Sequence, residues 1–225
     1  MVLFDITSRY NSLEAFLYDY LVAPAVFDTL LPFKDTVFAM MKEGSRILDI
    51  GCGGGQLAVE LAKAKKGLDV TGVDLSISQL RRAKLRSMKA EVKVDFIRAS
   101  ALGLPLPDES IDLVYSVDSI KHWPDRGRGL RECVRVIKPG GMLFISEVNR
   151  DCTLGQGMRF VRNWRMPAVL RPFSVLSFFL FAVLRSLTLD EARALAVPLA
   201  LDDVSVAPDL AGINWTIKAI KPRRA

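Results

Sequence analysis

Short apolar runs alternate with stretches of helical periodicity through the middle of this 225-residue chain. Apolar runs bounded by Gly, Pro, Asp or Ser are typical of buried strands, whereas apolar positions three and four apart are typical of helices. The pattern predicts strands at 46–50, 69–74, 92–97, 111–116 and 141–147, and helices at 55–65, 77–88 and 126–137. This alternation predicts an α/β fold, a doubly wound parallel sheet with helices on both faces.

Two local signals mark the ends of predicted helices. Ser76 has Gln79 three residues further on, which predicts a capping box at the start of the second helix. Lys138-Pro139-Gly140-Gly141 predicts the end of the third helix and a turn into the fifth strand.

A glycine turn follows the first predicted strand. Arg46-Ile47-Leu48-Asp49-Ile50 leads directly into Gly51-Cys52-Gly53-Gly54-Gly55 and then into a helix. Glycine allows positive φ and lets a ligand approach bare backbone at a helix start. The second strand ends at Asp74, 23 positions after Gly51, which is about the spacing at which an acid binds a ribose. The two features predict a site for a nucleotide-type cofactor.

Asp49 helps to separate two cofactor classes. A dinucleotide places an anionic pyrophosphate over the turn, where a carboxylate would repel it, and its fingerprint requires glycine where this chain has Gln56. S-adenosylmethionine has no phosphate and carries a cationic sulfonium and an ammonium. The residues therefore favour S-adenosylmethionine.

The motifs together resemble the class I S-adenosylmethionine-dependent methyltransferases, especially the branch that modifies small molecules. The resemblance continues in order through 97–108, 111–116, 120–125 and 135–141. It implies a Rossmann-like sheet that is mostly parallel, with a C-terminal antiparallel hairpin formed by 203–207 and 214–220. It also implies one methyltransferase domain over 1–225, divided into an N-terminal helical cap (1–44), a cofactor-binding core (45–150), a substrate lid or insertion (151–200) and the hairpin (201–225).

The candidate cofactor site lies at the carboxyl ends of the strands, where ligands bind in such sheets. By resemblance, Asp74 accepts both ribose hydroxyls, and Ser100 with Ala101 contacts adenine. At Ser100 the family often has an aspartate, so a shorter neutral side chain stands there. The cofactor-binding residues that we expect are Asp49, Gly51, Cys52, Gly53, Asp74, Leu75, Ser100, Ala101, Ser116 and Val117.

Methyl transfer requires a positioned nucleophile and, where needed, a base. His122 is the single histidine and follows the fourth strand, so it is a candidate base, although relatives also use a histidine there for packing. Asp118 and Glu147 are the competing candidate catalytic acids.

Before the first strand, Asn11 and Glu14 predict a helix cap. Helical spacing continues in that N-terminal segment through Leu13, Phe16, Leu17, Tyr20 and Leu21. Tyr10, Tyr18 or Tyr20 then either lines the active site or packs against the core.

The segment 155–187 is unusual because it has five arginines and no acid, a charge of +5 against +6 for the whole chain. Its middle, 175–184, is almost wholly apolar and too short to span a bilayer. Three interpretations stay open: a lid over a hydrophobic substrate, a surface for an anionic membrane, and a buried helix flanked by solvated arginines.

The start of the chain, its cysteines and its basic residues narrow the remaining classes of location, cofactor and partner. Met1-Val2-Leu3-Phe4-Asp5 lacks a basic start, which predicts a cytoplasmic protein, and three cysteines without metal-ligand spacing predict reduced thiols and no metal. The arginines are interrupted by apolar runs, so a nucleic-acid partner is not expected. We expect methylation of an apolar or amphipathic small molecule with S-adenosylhomocysteine as product. The alternatives are a cofactor-binding protein without methyl transfer and an RNA methyltransferase.

Overall fold

The computed structural model describes residues 18–22, 25–26, 31–209 and 211–223. Seven strands form one sheet in the order β3-β2-β1-β4-β5-β7-β6. The strands are β1 (Arg46–Ile50), β2 (Asp69–Asp74), β3 (Asp95–Arg98), β4 (Ile111–Val117), β5 (Ile137–Val148), β6 (Asp202–Pro208) and β7 (Asn214–Ile220). Strands β1 to β5 pair in parallel, whereas β7 pairs antiparallel with β5 and β6. The predicted fold class and C-terminal hairpin are confirmed.

Helices connect the strands and cover the sheet. They are α1 (Leu31–Met40), α2 (Gln56–Ala64), α3 (Ile77–Lys89), α4 (Arg126–Val136), α5 (Leu154–Arg162), α6 (Arg171–Phe181) and α7 (Leu189–Ala196). A π-helical turn lies at Tyr18–Val22, and 3₁₀ turns lie at Ile120–His122, Ala168–Leu170, Val183–Arg185 and Val197–Leu199. Within these described residues, no helix combines the length and the apolar character needed to cross a bilayer.

The sheet separates two apolar cores because successive strand residues point to opposite faces. Ile47 and Leu113 belong to one core, whereas their chain neighbours Leu48 and Val114 belong to the other. Since both faces are covered, the central strands are almost entirely apolar, as is typical of a parallel sheet between helices.

The strand order places a ligand crevice beside β1. Strand β1 lies between β2 and β4, so the chain leaves β1 toward one side of the sheet and later returns to its other side. At such a point the connections after neighbouring strands diverge and leave a crevice at the carboxyl ends. The glycine turn after β1 and the loop after β4 border that crevice.

Two predicted strand boundaries were wrong. The third strand begins at Asp95 rather than at 92, because Glu91 has positive φ (54°) and the Val92 amide still bonds Ser87 at the end of α3. The fifth strand begins at Ile137, so Lys138-Pro139-Gly140-Gly141 lies inside β5. Gly140, with φ of 78°, donates its N–H to the Lys221 carbonyl, and this contact holds the segment at the sheet.

The predicted capping box is only half formed. Ser76 Oγ accepts a bond from the Gln79 amide, but the reciprocal bond is absent because the Ser76 amide donates to Asp74 Oδ1 at 2.8 Å. As a result, Gln79 Oε1 is buried with no hydrogen-bond partner among the described residues.

Part of the predicted N-terminal helix, with Tyr10, Asn11, Leu13, Glu14, Phe16 and Leu17, lies outside the described residues. The backbone of Tyr18 and Tyr20 belongs to the π-helical turn, and the Tyr20 side chain is exposed.

Candidate functional site

A cavity of about 580 Å³ lies at the carboxyl ends of β1, β2 and β4. Its floor comes from strand ends and from the loop after β4, and its other wall comes from α5, α6 and the segment between them. The floor includes Gly51, Gly53, Asp74, Gln79, Val117, Asp118, Ser119, Lys121 and His122, and the wall includes Phe160, Trp164, Met166, Leu170, Phe173, Ser174, Ser177, Phe178, Phe181 and Ala182. One cavity therefore combines the glycine turn with an apolar and aromatic wall.

The glycine turn needs glycine at Gly51 and leaves open space at Gly53. Gly51 has φ of 74°, and a Cβ there would lie 1.9 Å from Ser119 Oγ. Gly53 has φ of 51°, and a Cβ there would meet no atom within 4 Å. The turn thus packs closely against the loop after β4 on one side and offers bare backbone to the cavity on the other.

Asp74 is held in a fixed orientation by two backbone amides. Gly53 N–H donates to Oδ2 at 2.9 Å, and Ser76 N–H donates to Oδ1 at 2.8 Å. Burial raises the pKa of Asp74, and the bonds from these amides oppose that rise. A carboxylate has about four acceptor positions, so each oxygen retains capacity for one further donor from the cavity. The two hydroxyls of a ribose match this remaining capacity.

Asp49 is buried at the end of β1 and does not line the cavity. Burial raises the pKa of Asp49 to about 8, while the Tyr115 hydroxyl lowers it and nearby Asp74 raises it further. A cation bound close by would favour the ionised carboxylate and lower that pKa.

Asp118 is the strained acid of the site. It has φ of 53°, which is uncommon for a residue other than glycine, and its amide donates to Ser146 O at 2.9 Å. Its Oδ1 is buried without a hydrogen-bond partner among the described residues. Burial raises the pKa of Asp118 to about 6, Lys121 opposes this, and Glu147 and Asp209 add to it. An acid with an uncommon backbone angle and a raised pKa at the border of a cavity is typical of a functional position.

Glu147 lies beneath the loop rather than on the cavity wall. Its Oε1 accepts from Lys121 Nζ at 2.7 Å and from the Val148 amide at 2.8 Å, and its Oε2 accepts from the Lys121 amide at 3.1 Å. Lys121 Nζ also donates to the Asp118 carbonyl at 2.8 Å. This buried network fixes the backbone that carries Asp118.

His122 lines the cavity in the 3₁₀ turn after β4. Burial lowers the pKa of His122 to about 3, and the charges of Lys121, Arg185 and Arg126 lower it further. The imidazole is therefore neutral at ordinary pH, and it can donate from one nitrogen and accept at the other.

The structure brings some predicted residues together and leaves others aside. Gly51, Gly53, Asp74, Val117, Asp118 and His122 share the cavity, whereas Asp49, Cys52, Leu75, Ser100, Ala101, Ser116 and Glu147 are not on its wall. Ser116 Oγ donates to Ile50 O at 2.7 Å, which ties β4 to β1. Ser100 Oγ accepts from the Leu102 amide at 3.1 Å in a small turn.

Gln79, Ser119 and Lys121 also line the cavity, although the sequence patterns had not marked them as site residues. Gln79 carries an unpaired buried oxygen at the cavity and was assigned only to a helix cap. Ser119 and Lys121 follow the same strand end as Asp118. Extending the carboxyl-end rule a few residues past β4 would have found them.

The aromatic wall is a packed cluster. Phe160 and Trp164 have ring centroids 6.1 Å apart, and Phe178 lies 5.3 Å from Phe160 and 6.1 Å from Trp164. Trp164 Nε1 is buried without a partner among the described residues, so this apolar wall also holds one free donor. The wall suits a ligand with an apolar body and few polar atoms.

These features fit S-adenosylmethionine. Asp74 has acceptor capacity for ribose hydroxyls, Gly53 leaves space against the backbone, and the acids Asp49 and Asp118 suit nearby cations. The carboxylate of Asp118, which is mostly ionised at neutral pH, would repel the pyrophosphate of a dinucleotide.

Comparisons with known proteins agree with this assignment. Residues 48–145 match the family model described as a methyltransferase domain. The chain is 42% identical over 109 residues to the 27-O-demethylrifamycin SV methyltransferase of Amycolatopsis mediterranei, which covers 48% of this chain and 40% of that protein. It is 39% identical over 110 residues to the ubiquinone biosynthesis O-methyltransferase of Pseudomonas fluorescens, which covers 48% of this chain and 46% of that protein. The matches therefore span less than half the length of these curated relatives.

The fold comparison extends over nearly the whole chain. A crystal structure of a SAM-dependent methyltransferase from Aquifex aeolicus superposes with a TM-score of 0.71 and 18% identity, and covers 94% of this chain and 98% of that one. At this identity the likeness concerns the fold alone. Residues 48–145 are therefore similar in sequence to the methyltransferase family, and the fold of the chain is similar to that of a SAM-dependent methyltransferase.

Proposed function

We propose that this protein transfers a methyl group from S-adenosylmethionine to an apolar or amphipathic small molecule. One observation carries the proposal: a single cavity is lined by the glycine turn and Asp74 on one side and by the aromatic wall on the other. A polar cofactor and an apolar acceptor would then meet beside Asp118.

The cofactor would be held by the floor of the cavity. Asp74 binds the ribose hydroxyls, Gly51 and Gly53 present backbone, and Asp49 supplies a negative charge that balances the cationic end. Val117 borders the same cavity, whereas Ser100 and Ala101, which the family resemblance assigns to the adenine, and Cys52, Leu75 and Ser116 lie off its wall and would act through backbone or packing. When bound, S-adenosylmethionine supplies an electrophilic methyl group on a sulfonium.

Asp118 is the proposed base. Its carboxylate would accept the proton of an acceptor hydroxyl or amine, and its pKa of about 6 makes it mostly ionised at neutral pH. His122, which is neutral and lies on the same floor of the cavity, would orient the acceptor by a hydrogen bond. Glu147 would act through Lys121 by holding the Asp118 backbone.

The names of the matched relatives support a small-molecule acceptor, since they refer to rifamycin and to ubiquinone biosynthesis. The aromatic wall supports the narrower proposal that this acceptor is hydrophobic. We propose the cytoplasm as the place of action, with peripheral contact at an anionic membrane surface through the arginine-rich segment 155–187.

A series of para-alkyl phenols tests the acceptor class. If the wall binds the alkyl chain, kcat/KM should rise roughly fourfold for each added methylene up to the length of the cavity, since a buried CH₂ contributes about 0.8 kcal/mol. A matched series ending in a carboxylate should not show this rise. Turnover that is independent of chain length would contradict a hydrophobic acceptor, and cofactor binding without any turnover would favour the non-methylating alternative.

A further inference from the structure

Exposed apolar side chains cover the outer side of α6 and its flanking turns. Most of them recur three or four positions apart, which places those on α6 along one side of the helix. We call this set the apolar face, and it consists of Val169, Leu170, Phe173, Leu176, Leu180, Phe181 and Leu184. So many large apolar side chains in one exposed stretch are typical of a surface that meets a partner.

The same segment is strongly basic. Arg159, Arg162, Arg165, Arg171 and Arg185 lie within 155–187, which contains no Asp or Glu. None of the ion pairs seen in the described part of the chain involves these five arginines. The guanidinium of Arg185 lies 5.7 Å from the centre of the Phe181 ring, so charge and apolar surface are adjacent.

The mouth of the cavity opens at this face. Phe173 is 71% exposed and Phe181 is 39% exposed, yet both line the cavity. Leu170 is likewise exposed and lines the cavity. On the inner side of the same helix, Ser174 and Phe178 are buried against the protein. An acceptor that leaves an apolar phase at this face would meet the cavity without crossing water.

We propose that the apolar face docks on an anionic lipid bilayer and that the acceptor reaches the cavity from that bilayer. The route of the acceptor rests on the proposed function, whereas the docking does not. Helix α6 has eleven residues, about 16 Å, so it would lie in the plane of the interface rather than cross it. A second copy is disfavoured as the occupant, because two such faces would bring ten arginines together.

Co-sedimentation with vesicles tests the docking. The protein should bind vesicles of phosphatidylcholine with phosphatidylglycerol at low salt, bind pure phosphatidylcholine vesicles far less, and be released as salt rises. Replacing Arg162 and Arg165 together by Ser should lower the partition coefficient roughly thirtyfold, since each basic residue at a surface contributes about 1 kcal/mol. The matched control, Lys89→Ser with Arg131→Ser, removes the same charge from exposed sites on α3 and α4 and should have little effect.

A second pair of double variants tests how much the apolar side chains contribute to vesicle binding. Leu176→Ser with Leu180→Ser should weaken binding to anionic vesicles at least tenfold, because neither side chain lines the cavity but both belong to the apolar face. Leu85→Ser with Met88→Ser, which changes exposed apolar residues of α3, should not weaken it. All four double variants should keep the wild-type affinity for S-adenosylhomocysteine in calorimetry.

Each contrary outcome has a distinct meaning. No binding to anionic vesicles at low salt, or equal binding by the face and control variants, would overturn the docking and the proposed membrane contact while leaving the proposed methyl transfer intact. A dimer in gel filtration that dissociates on Leu176→Ser with Leu180→Ser, without vesicle binding, would assign the face to a second copy. Vesicle binding by a protein that does not bind the cofactor would instead contradict the proposed function alone.

Discussion

Lys121 Nζ lies 2.7 Å from Glu147 Oε1, and the two side chains are only 8% and 0% exposed. This buried ion pair joins β5 to the loop after β4, and the same ammonium holds the Asp118 carbonyl. It therefore links the stability of the loop to the position of the proposed base.

Lys121→Met should lower the free energy of unfolding by about 3 to 5 kcal/mol, because it leaves Glu147 buried without its counter-ion. The double variant with Glu147→Gln should recover part of the loss. Lys138→Met breaks a more exposed pair with Asp112 at 2.8 Å and should cost about 1 kcal/mol or less. Urea unfolding measures all three, and equal losses for Lys121→Met and Lys138→Met would contradict a structural role for the buried pair.

Asp74→Ala should weaken binding of S-adenosylhomocysteine by roughly 2 to 3 kcal/mol, because it removes a charged acceptor of two hydrogen bonds. Asp95→Ala, which removes an exposed carboxylate from the adjacent strand, should leave the affinity unchanged. Titration calorimetry at one pH provides the comparison. Unchanged affinity in Asp74→Ala would contradict the proposal that Asp74 binds the ribose hydroxyls.

Cofactor affinity should depend on pH through Asp49. Without ligand, its pKa of about 8 keeps the carboxyl protonated at pH 6, and a bound cation favours the ionised form. Binding should therefore tighten as pH rises from 6 to 8, by up to about tenfold per pH unit, and then level off. Asp49→Asn cannot ionise and should lose this slope. A wild-type affinity that is flat over this range would mean that Asp49 does not sense the cofactor charge.

The pH dependence of turnover should show whether Asp118 acts as the base. The value of kcat/KM should rise with pH through about 6 and reach a plateau above it, since kcat/KM reports the protein without substrate and the base acts only when ionised. Asp118→Asn should lower kcat about a hundredfold or more and abolish the inflection. His122→Gln should keep the inflection, because an imidazole with a pKa of about 3 does not titrate in this range. Loss of the inflection in His122→Gln alone would transfer the base role to His122.

Local patterns were enough to predict much of the fold. The strands ending at Ile50 and Asp74 follow from apolar runs with clear ends, whereas the hairpin strand 214–220 was implied by the family resemblance. The early start of β5 depends instead on Gly140 bonding to Lys221, a contact 81 residues away in sequence. Sequence patterns do not report such distant pairings.

The site was harder to predict than the fold for a similar reason. Gln79 is free to face the cavity only because Asp74 takes the Ser76 amide, which is a competition between two local hydrogen bonds. Asp118 was a candidate by its place after β4, but its positive φ and buried oxygen appear only in three dimensions. The shared cavity depends on where α6 packs, and no spacing in the sequence specifies that position.

Transfer of a labelled methyl group is the most direct test of the proposed reaction. The protein would be incubated with S-adenosylmethionine labelled on its methyl group and with a total extract from the source cell, and the label would then be separated into organic-soluble, RNA and protein fractions. The proposal expects label in organic-soluble small molecules, with a loss of about a hundredfold in Asp118→Asn and no loss in the exposed control Asp95→Ala. Label in RNA or protein, or no transfer despite cofactor binding, would contradict it.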